Sequence, residues 1–250
     1  MSSTENLSPE TEALITKARA SKGMLYVAIA SIVMLFSAFL SAYIVSKGGI
    51  FWVNISLPSS FWISTALILL SSVTVNMALS AIKKNNQKAS NYLLLVTLLL
   101  GVSFAVFQWF GWGQMIKSGN YFVSNIMDPE KPGFFVKGEY GKDFTLTFKG
   151  QELSYKEGRL FFPDGEELNA VQYDNLKQQR NTASSYIYVI TALHILHVLG
   201  GLFYLISVVL AAFRMQFSSD NYLRISLISI YWHFLDALWV ILFLFFQFIH

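Results

Sequence analysis

The sequence has no cysteine in its 250 residues. Disulfides, thiolate metal sites and iron–sulfur clusters are therefore excluded. Charge is also scarce. Asp, Glu, Lys and Arg make up 13% of the chain, against about 25% in a soluble domain. Hydrophobic residues reach 54% and mean hydropathy is +0.47, so the composition is that of a membrane protein. The formal charge of +3 is too small to suggest nucleic-acid binding. The N-terminal residues include Glu5, Glu10 and Glu12, where a secretory signal would be basic and then apolar, so no signal peptide is expected. A Ser-His-Asp elbow and a phosphate-binding glycine loop are both missing from the apolar runs. Those runs hold a single carboxylate, Asp236.

Five uniformly apolar runs are present, at about Met24–Val45, Phe61–Ile82, Tyr92–Trp112, Tyr186–Phe213 and Ser226–Phe248. Crossing a bilayer takes about 20 helical residues at about 1.5 Å each. Unbroken runs lack the alternation of a barrel, so five transmembrane helices are predicted. The fold class expected is an all-α integral membrane protein. Residues 1–22 would be a cytoplasmic segment, with Ser8-Pro9-Glu10 opening a short surface helix up to Lys22. Residues 23–115 would hold helices one to three and residues 185–250 helices four and five.

Residues 116–184 are too many for a plain connection. Asp143 to Phe148 alternates polar and apolar residues, as a half-buried strand does, and Lys149-Gly150, Glu157-Gly158 and Asp164-Gly165 are turn signals. A β meander of two or three strands is predicted, followed by a short helix around Leu168–Arg180. Lys17, Arg19, Lys22, Lys83, Lys84, Lys88, Arg214 and Arg224 all fall on one side of the predicted spans, against Lys47 alone in the short loop opposite. The N-terminus is therefore expected in the cytoplasm, with the insert and the C-terminal His250 outside.

The chemistry-bearing residues concentrate in the last two runs. His194 and His197 lie three residues apart in the fourth, and His233 and Asp236 three apart in the fifth, so each pair shares a helix face. An ionisable group at bilayer depth costs about 2.5–3.5 kcal/mol on insertion scales, so these faces should look into protein. Imidazole and carboxylate also ligate first-row metals. The glutamate-rich pattern of di-iron bundles is absent, and hydrogen bonding that locks the hairpin is the preferred reading. Gly200 and Gly201 suit close helix approach, and Trp232 and Trp239 suit helix contacts. Ser31, Ser37, Ser71, Ser72, Thr74 and Asn76 offer spans one and two interhelical bonds.

The motif His194-Ile-Leu-His197-Val198-Leu-Gly200, followed by Tyr231-Trp232-His233-Phe234-Leu-Asp236-Ala-Leu-Trp239, resembles the C-terminal hairpin of subunit III of the haem-copper oxidases. Weaker echoes are Leu100-Gly101-Val102 with Gln108, Thr65 with Leu69, Leu70, Ser71 and Thr74, and Ser31-Ile32-Val33-Met34-Leu35-Phe36. The resemblance covers all five runs and implies the five-helix form of the family. The insert has no counterpart in it, and Ile32 stands where the family carries a membrane glutamate, so a proton role for that carboxylate does not transfer.

The resemblance implies a cofactor-free subunit that packs on catalytic subunit I, binds phospholipid and supports sustained oxygen reduction coupled to proton pumping. Haem and copper would then belong to partner subunits. His194, His197, His233 and Asp236 would be structural, with Asp236 the most damaging residue to lose. The expected location is a bacterial inner membrane. The insert would dock subunit II or other respiratory subunits in a supercomplex. Two rival readings are a membrane di-metal desaturase or hydroxylase using His194, His197, His233 and Asp236, and a small proton-coupled transporter using Asp236.

Overall fold

The computed structural model describes residues 9–128 and 133–249. The proposed cap at Ser8 and the terminal His250 lie outside the described residues. Six helices and five short strands follow in the order α1 (Pro9–Lys47), β1 (Phe51–Ile55), α2 (Ser59–Lys83), α3 (Gln87–Lys117), β2 (Phe144–Phe148), β3 (Gln151–Glu152), β4 (Ser154–Lys156), β5 (Arg159–Phe161), α4 (Ala170–Gln178), α5 (Thr182–Phe213) and α6 (Leu223–Phe248). Of these, α1, α2, α3, α5 and α6 are long and apolar enough to cross a membrane.

Packing in the bundle follows a seam of small residues. The buried positions of α2 include Phe61, Ser64, Ile68, Ser71, Val75, Ala78 and Ile82, spaced alternately by three and four. Those of α3 run Ser90, Leu94, Thr97, Gly101, Phe104, Gln108, Gly111 and Met115 with the same spacing. That repeat keeps one stripe of each helix on the other, as in left-handed coiled coils. Lipid gives apolar side chains no reason to leave it, so close approach and hydrogen bonds hold such a pair. A Cβ on Gly111 would lie 2.1 Å from the Phe61 ring. Thr74 and Thr97 share a hydrogen bond of 2.8 Å, and Gln108 Nε2 donates to Ser64 Oγ at 2.8 Å.

Helix α6 sits against α2, α5 and α1, and α3 packs on both α2 and α5. Helix α1 is the least covered span: among its described side chains only Phe36 and Tyr43 are buried. It runs unbroken from Pro9, so the surface helix expected up to Lys22 and the first span are one element. Gly23 alone stands between them, and a single glycine costs only about 1 kcal/mol in a helix.

The region between α3 and α5 carries four strands and α4. Its sheet reaches back to the loop between the first two spans, where only a short connection was expected. There β1 pairs antiparallel with β2 from Phe51↔Phe148 to Ile55↔Phe144, giving the order β1-β2-β3, while β4 and β5 form a separate hairpin. Phe51-Trp52-Val53-Asn54-Ile55 is rich in strand-forming residues, and its partner lies some ninety residues away in sequence. β1 ties the insert to the bundle, since it also contacts α5. Helix α4 begins with a capping box between Asn169 and Gln172.

Candidate functional site

The Tyr231–Trp239 stretch lies in mid-helix on α6, where residues seven apart share a face and those between them turn toward other neighbours. Trp232 and Trp239, seven residues apart, both face α2. The Trp232 indole N–H donates to Ser71 Oγ at 2.9 Å and the Trp239 indole N–H to Thr65 Oγ1 at 2.9 Å. Both rings are 1% exposed, so these bonds are made inside protein. His233 also meets α2, where Nδ1 shares a bond of 2.6 Å with Ser72 Oγ.

His194 is fully buried on α5, and its Nε2 meets the Leu235 carbonyl of α6 at 3.1 Å. Among the described residues this is the one side-chain bond that crosses the hairpin from the four ionisable groups; the His197 carbonyl also accepts from the Tyr231 hydroxyl at 3.3 Å. Its ring packs beside Trp239 and edge-on to Phe104, with centroids 5.2 and 5.8 Å away. His197 turns to the other side. Its Nδ1 bonds the Leu193 carbonyl of its own helix at 2.7 Å, and its ring lies against Phe36 of α1 at 5.8 Å.

Asp236 is 3% exposed, and neither carboxylate oxygen has a hydrogen-bond partner of acceptable geometry among the described residues. Ser72 lies close to it, but that hydroxyl is engaged with His233. The Asp–His pairing anticipated across the hairpin is therefore replaced by separate contacts. The three histidines address α6, α1 and α2, and the carboxylate addresses none of them. Among the described residues no three His, Cys, Asp or Glu side chains gather as a metal ion requires. The arrangement can position helices and supply polar contacts at mid-membrane depth.

The two glycines differ. A Cβ on Gly201 would stand 3.2 Å from the Tyr231 ring and 3.3 Å from Leu235, so Gly201 sets the approach of α5 to α6. At Gly200 nothing lies within 4 Å, and it borders a groove with Leu25, Tyr204 and Tyr231. Gly101 of α3 is a contact that reading the last two helices alone does not find. A Cβ there would sit 2.7 Å from Trp232 Cζ2 and 2.8 Å from Cη2. Its sequence signal was a small residue in the 3-4 seam of α3. At the loop end of the hairpin, Arg224 donates to Ser207 Oγ at 3.0 Å.

Comparison with known proteins adds to this geometry. The family model described as cytochrome c oxidase subunit III matches residues 178–250, the stretch that holds α5 and α6. A curated relative, the cytochrome bo(3) ubiquinol oxidase subunit 3 of Buchnera aphidicola subsp. Schizaphis graminum, is 22% identical over 187 residues. That match covers 75% of this chain and 69% of the relative. The cytochrome c oxidase subunit 3 of Loxodonta africana is 22% identical over 182 residues, covering 73% of this chain and 47% of the relative. The chain thus spans about two thirds of the first relative and about half of the second.

Proposed function

We propose that the chain is a member of the haem-copper oxidase subunit III family and a non-catalytic membrane subunit of an aerobic terminal oxidase. In this reading it packs against catalytic subunit I, binds phospholipid and supports oxygen reduction coupled to proton pumping, while partner subunits carry the haem and copper. The observation that carries the reading is the disposition of the last two helices. In the matched hairpin, His194, His233, Trp232 and Trp239 make hydrogen bonds that join α6 to α2 and α5, and His197 is set against α1. Such contacts fix a bundle's shape, which is what a scaffold subunit supplies to its partners.

In this reading the N-terminus lies in the cytoplasm and the insert outside a bacterial inner membrane, which the lysine and arginine distribution supports. The sheet that β1 shares with β2 gives the insert a rigid base, which suits a docking role toward subunit II or a neighbouring respiratory complex.

Purification with native companions tests this reading. Oxidase subunits should co-purify, and the separated chain should hold no stoichiometric haem or metal. About one tightly held metal per chain would favour the desaturase-type reading, and proton-coupled uptake by the chain alone in proteoliposomes would favour a transporter. Removing ordered phospholipid should shorten sustained turnover. Full, lasting turnover after delipidation would make the lipid incidental. Deleting residues 120–180 should weaken assembly with at least one partner, and unchanged assembly would end the docking reading.

A further inference from the structure

A second polar feature lies well away from the hairpin motif, where the insert meets the ends of α2 and α3. A cavity of about 550 Å³ opens there, with Pro58, Gln114, Met115, Lys117, Asn120 and Lys137 in its wall. Its shape is fixed by backbone. Gly119 takes φ +78°, and a Cβ on it would fall 1.9 Å from the Phe135 carbonyl oxygen, so only glycine lets this turn close on the strand beyond. The Lys137 N–H then donates to the Ser118 carbonyl at 2.7 Å, which brings Lys137 beside the last turn of α3.

The groups at this cavity are chiefly donors. Lys117 and Lys137 are exposed, and neither joins an ion pair among the described residues. From the loop before α2, Ser56, Leu57 and Pro58 complete this side of the wall. Asn120 is 2% exposed. Its Oδ1 accepts from Asn181 at 3.2 Å and its backbone carbonyl accepts from Tyr188 at 2.9 Å, yet its Nδ2 donates to nothing among the described residues. One carboxylate, Asp143, also borders the cavity, and its Oδ2 already accepts from the Glu139 N–H at 2.8 Å.

We propose that this cavity is a phosphate-binding site at the outer membrane boundary, formed by Lys117, Lys137 and the Asn120 amide. Two cations and a buried amide donor line one space, which is a donor set a phosphate takes. A phospholipid headgroup and free phosphate share that chemistry. Position favours the lipid. Gln114 and Lys117 lie one and two turns above Phe110, which is 56% exposed on the same face of α3 and offers an acyl chain a surface. The site is independent of the oxidase reading and is built from the insert, which the family resemblance does not cover.

The test uses the full chain in phosphatidylcholine nanodiscs containing phosphatidylglycerol, released into detergent and followed by native mass spectrometry. Wild type should retain one phosphatidylglycerol that K117Q/K137Q loses. The expected weakening is about thirty-fold, at roughly five-fold per lysine. The control K149Q/K156Q, on the same insert, should retain the lipid. Equal retention in all three proteins, or equal loss in both variants, overturns the proposal. A second arm adds inorganic phosphate and reads thermal stability. A shift in wild type that K117Q/K137Q abolishes, with phosphatidylglycerol indifferent, would keep the phosphate site and assign it to the free ion. No response to either ligand overturns it.

Discussion

Gly101→Ala is the sharpest probe of how α3 meets α6. The new methyl would stand 2.7 and 2.8 Å from the outer ring of the Trp232 indole and 3.0 Å from Leu202, all inside normal contact distance. Overpacking of this kind costs about 1–3 kcal/mol. Trp232→Phe removes the two indole carbons that crowd position 101, and also the N–H bond to Ser71. Losing an interhelical bond costs about 0.6 kcal/mol on average and up to about 1.7 kcal/mol. Ser71 Oγ still donates to the Ile68 carbonyl at 2.7 Å, so no buried hydroxyl is orphaned. In the double variant the methyl occupies space the indole has left. Its cost should fall below the sum of the two single costs by about 1–2 kcal/mol, whereas independent sites add within about 0.3–0.5 kcal/mol. Reversible unfolding in mixed micelles, followed by far-UV circular dichroism, supplies the four stabilities. Additive costs would mean that Gly101 does not face Trp232, and the packing described for α6 would be wrong.

Asp236→Asn should change stability of the isolated chain by less than about 1 kcal/mol in the same assay, because no partner is left behind. A loss of about 3–5 kcal/mol would reveal a charged partner. Ser72→Ala should free the His233 ring, visible as a shift of its Nδ1 resonance by 15N NMR, at a cost near the interhelical average of about 0.6 kcal/mol. Gly119→Ala should raise amide exchange at Lys137, whose bond to Ser118 depends on the close turn, and unchanged exchange would refute that dependence. In the insert, burial pushes the Tyr140 phenol up to about 12, opposed by its bond to Leu146 and reinforced by nearby Glu152. The folded state thus favours the neutral phenol. Its contribution is complete below the unfolded value near 10 and is lost as pH rises from there toward 12. A difference titration at 295 nm between wild type and Tyr140→Phe should show a late component, and an ordinary tyrosine curve would refute it.

The sequence makes the five spans legible because length and uniform apolarity decide them locally. The same is true of β2, whose Phe144-Thr145-Leu146-Thr147-Phe148 alternation needs no partner to be recognised. β1 stayed hidden because five residues between two spans carry little periodic signal, and its ladder is closed by a segment far along the chain. In the candidate site, His194 and Asp236 are buried on α5 and α6, while His197 and His233 are half-buried. Its partners were not readable. Helical spacing says which side chains share a face and leaves open which helix covers that face. Hence Asp236, anticipated as half of a pair across the hairpin and as the costliest residue to lose, has no hydrogen-bond partner. His233 reached α2 instead of α5.

The composition of α6 follows from its surroundings. A central helix in water can rely on apolar burial against every neighbour. In lipid that drive is missing, so each neighbour must be held by close fit or by a directed bond. Helix α6 uses both kinds. It directs donors toward Ser71 and Thr65 on α2, offers the Leu235 carbonyl to His194, and lets α5 approach over Gly201. Tryptophan and histidine recur there because each joins a large packing surface to one polar atom. The angle of that atom around the helix selects the neighbour: Trp232 and Trp239, seven residues apart, both reach α2, while the Leu235 carbonyl meets His194 of α5. Helix α6 is thereby the element on which the other spans converge, and it can be repacked only by changing α2, α3 and α5 with it.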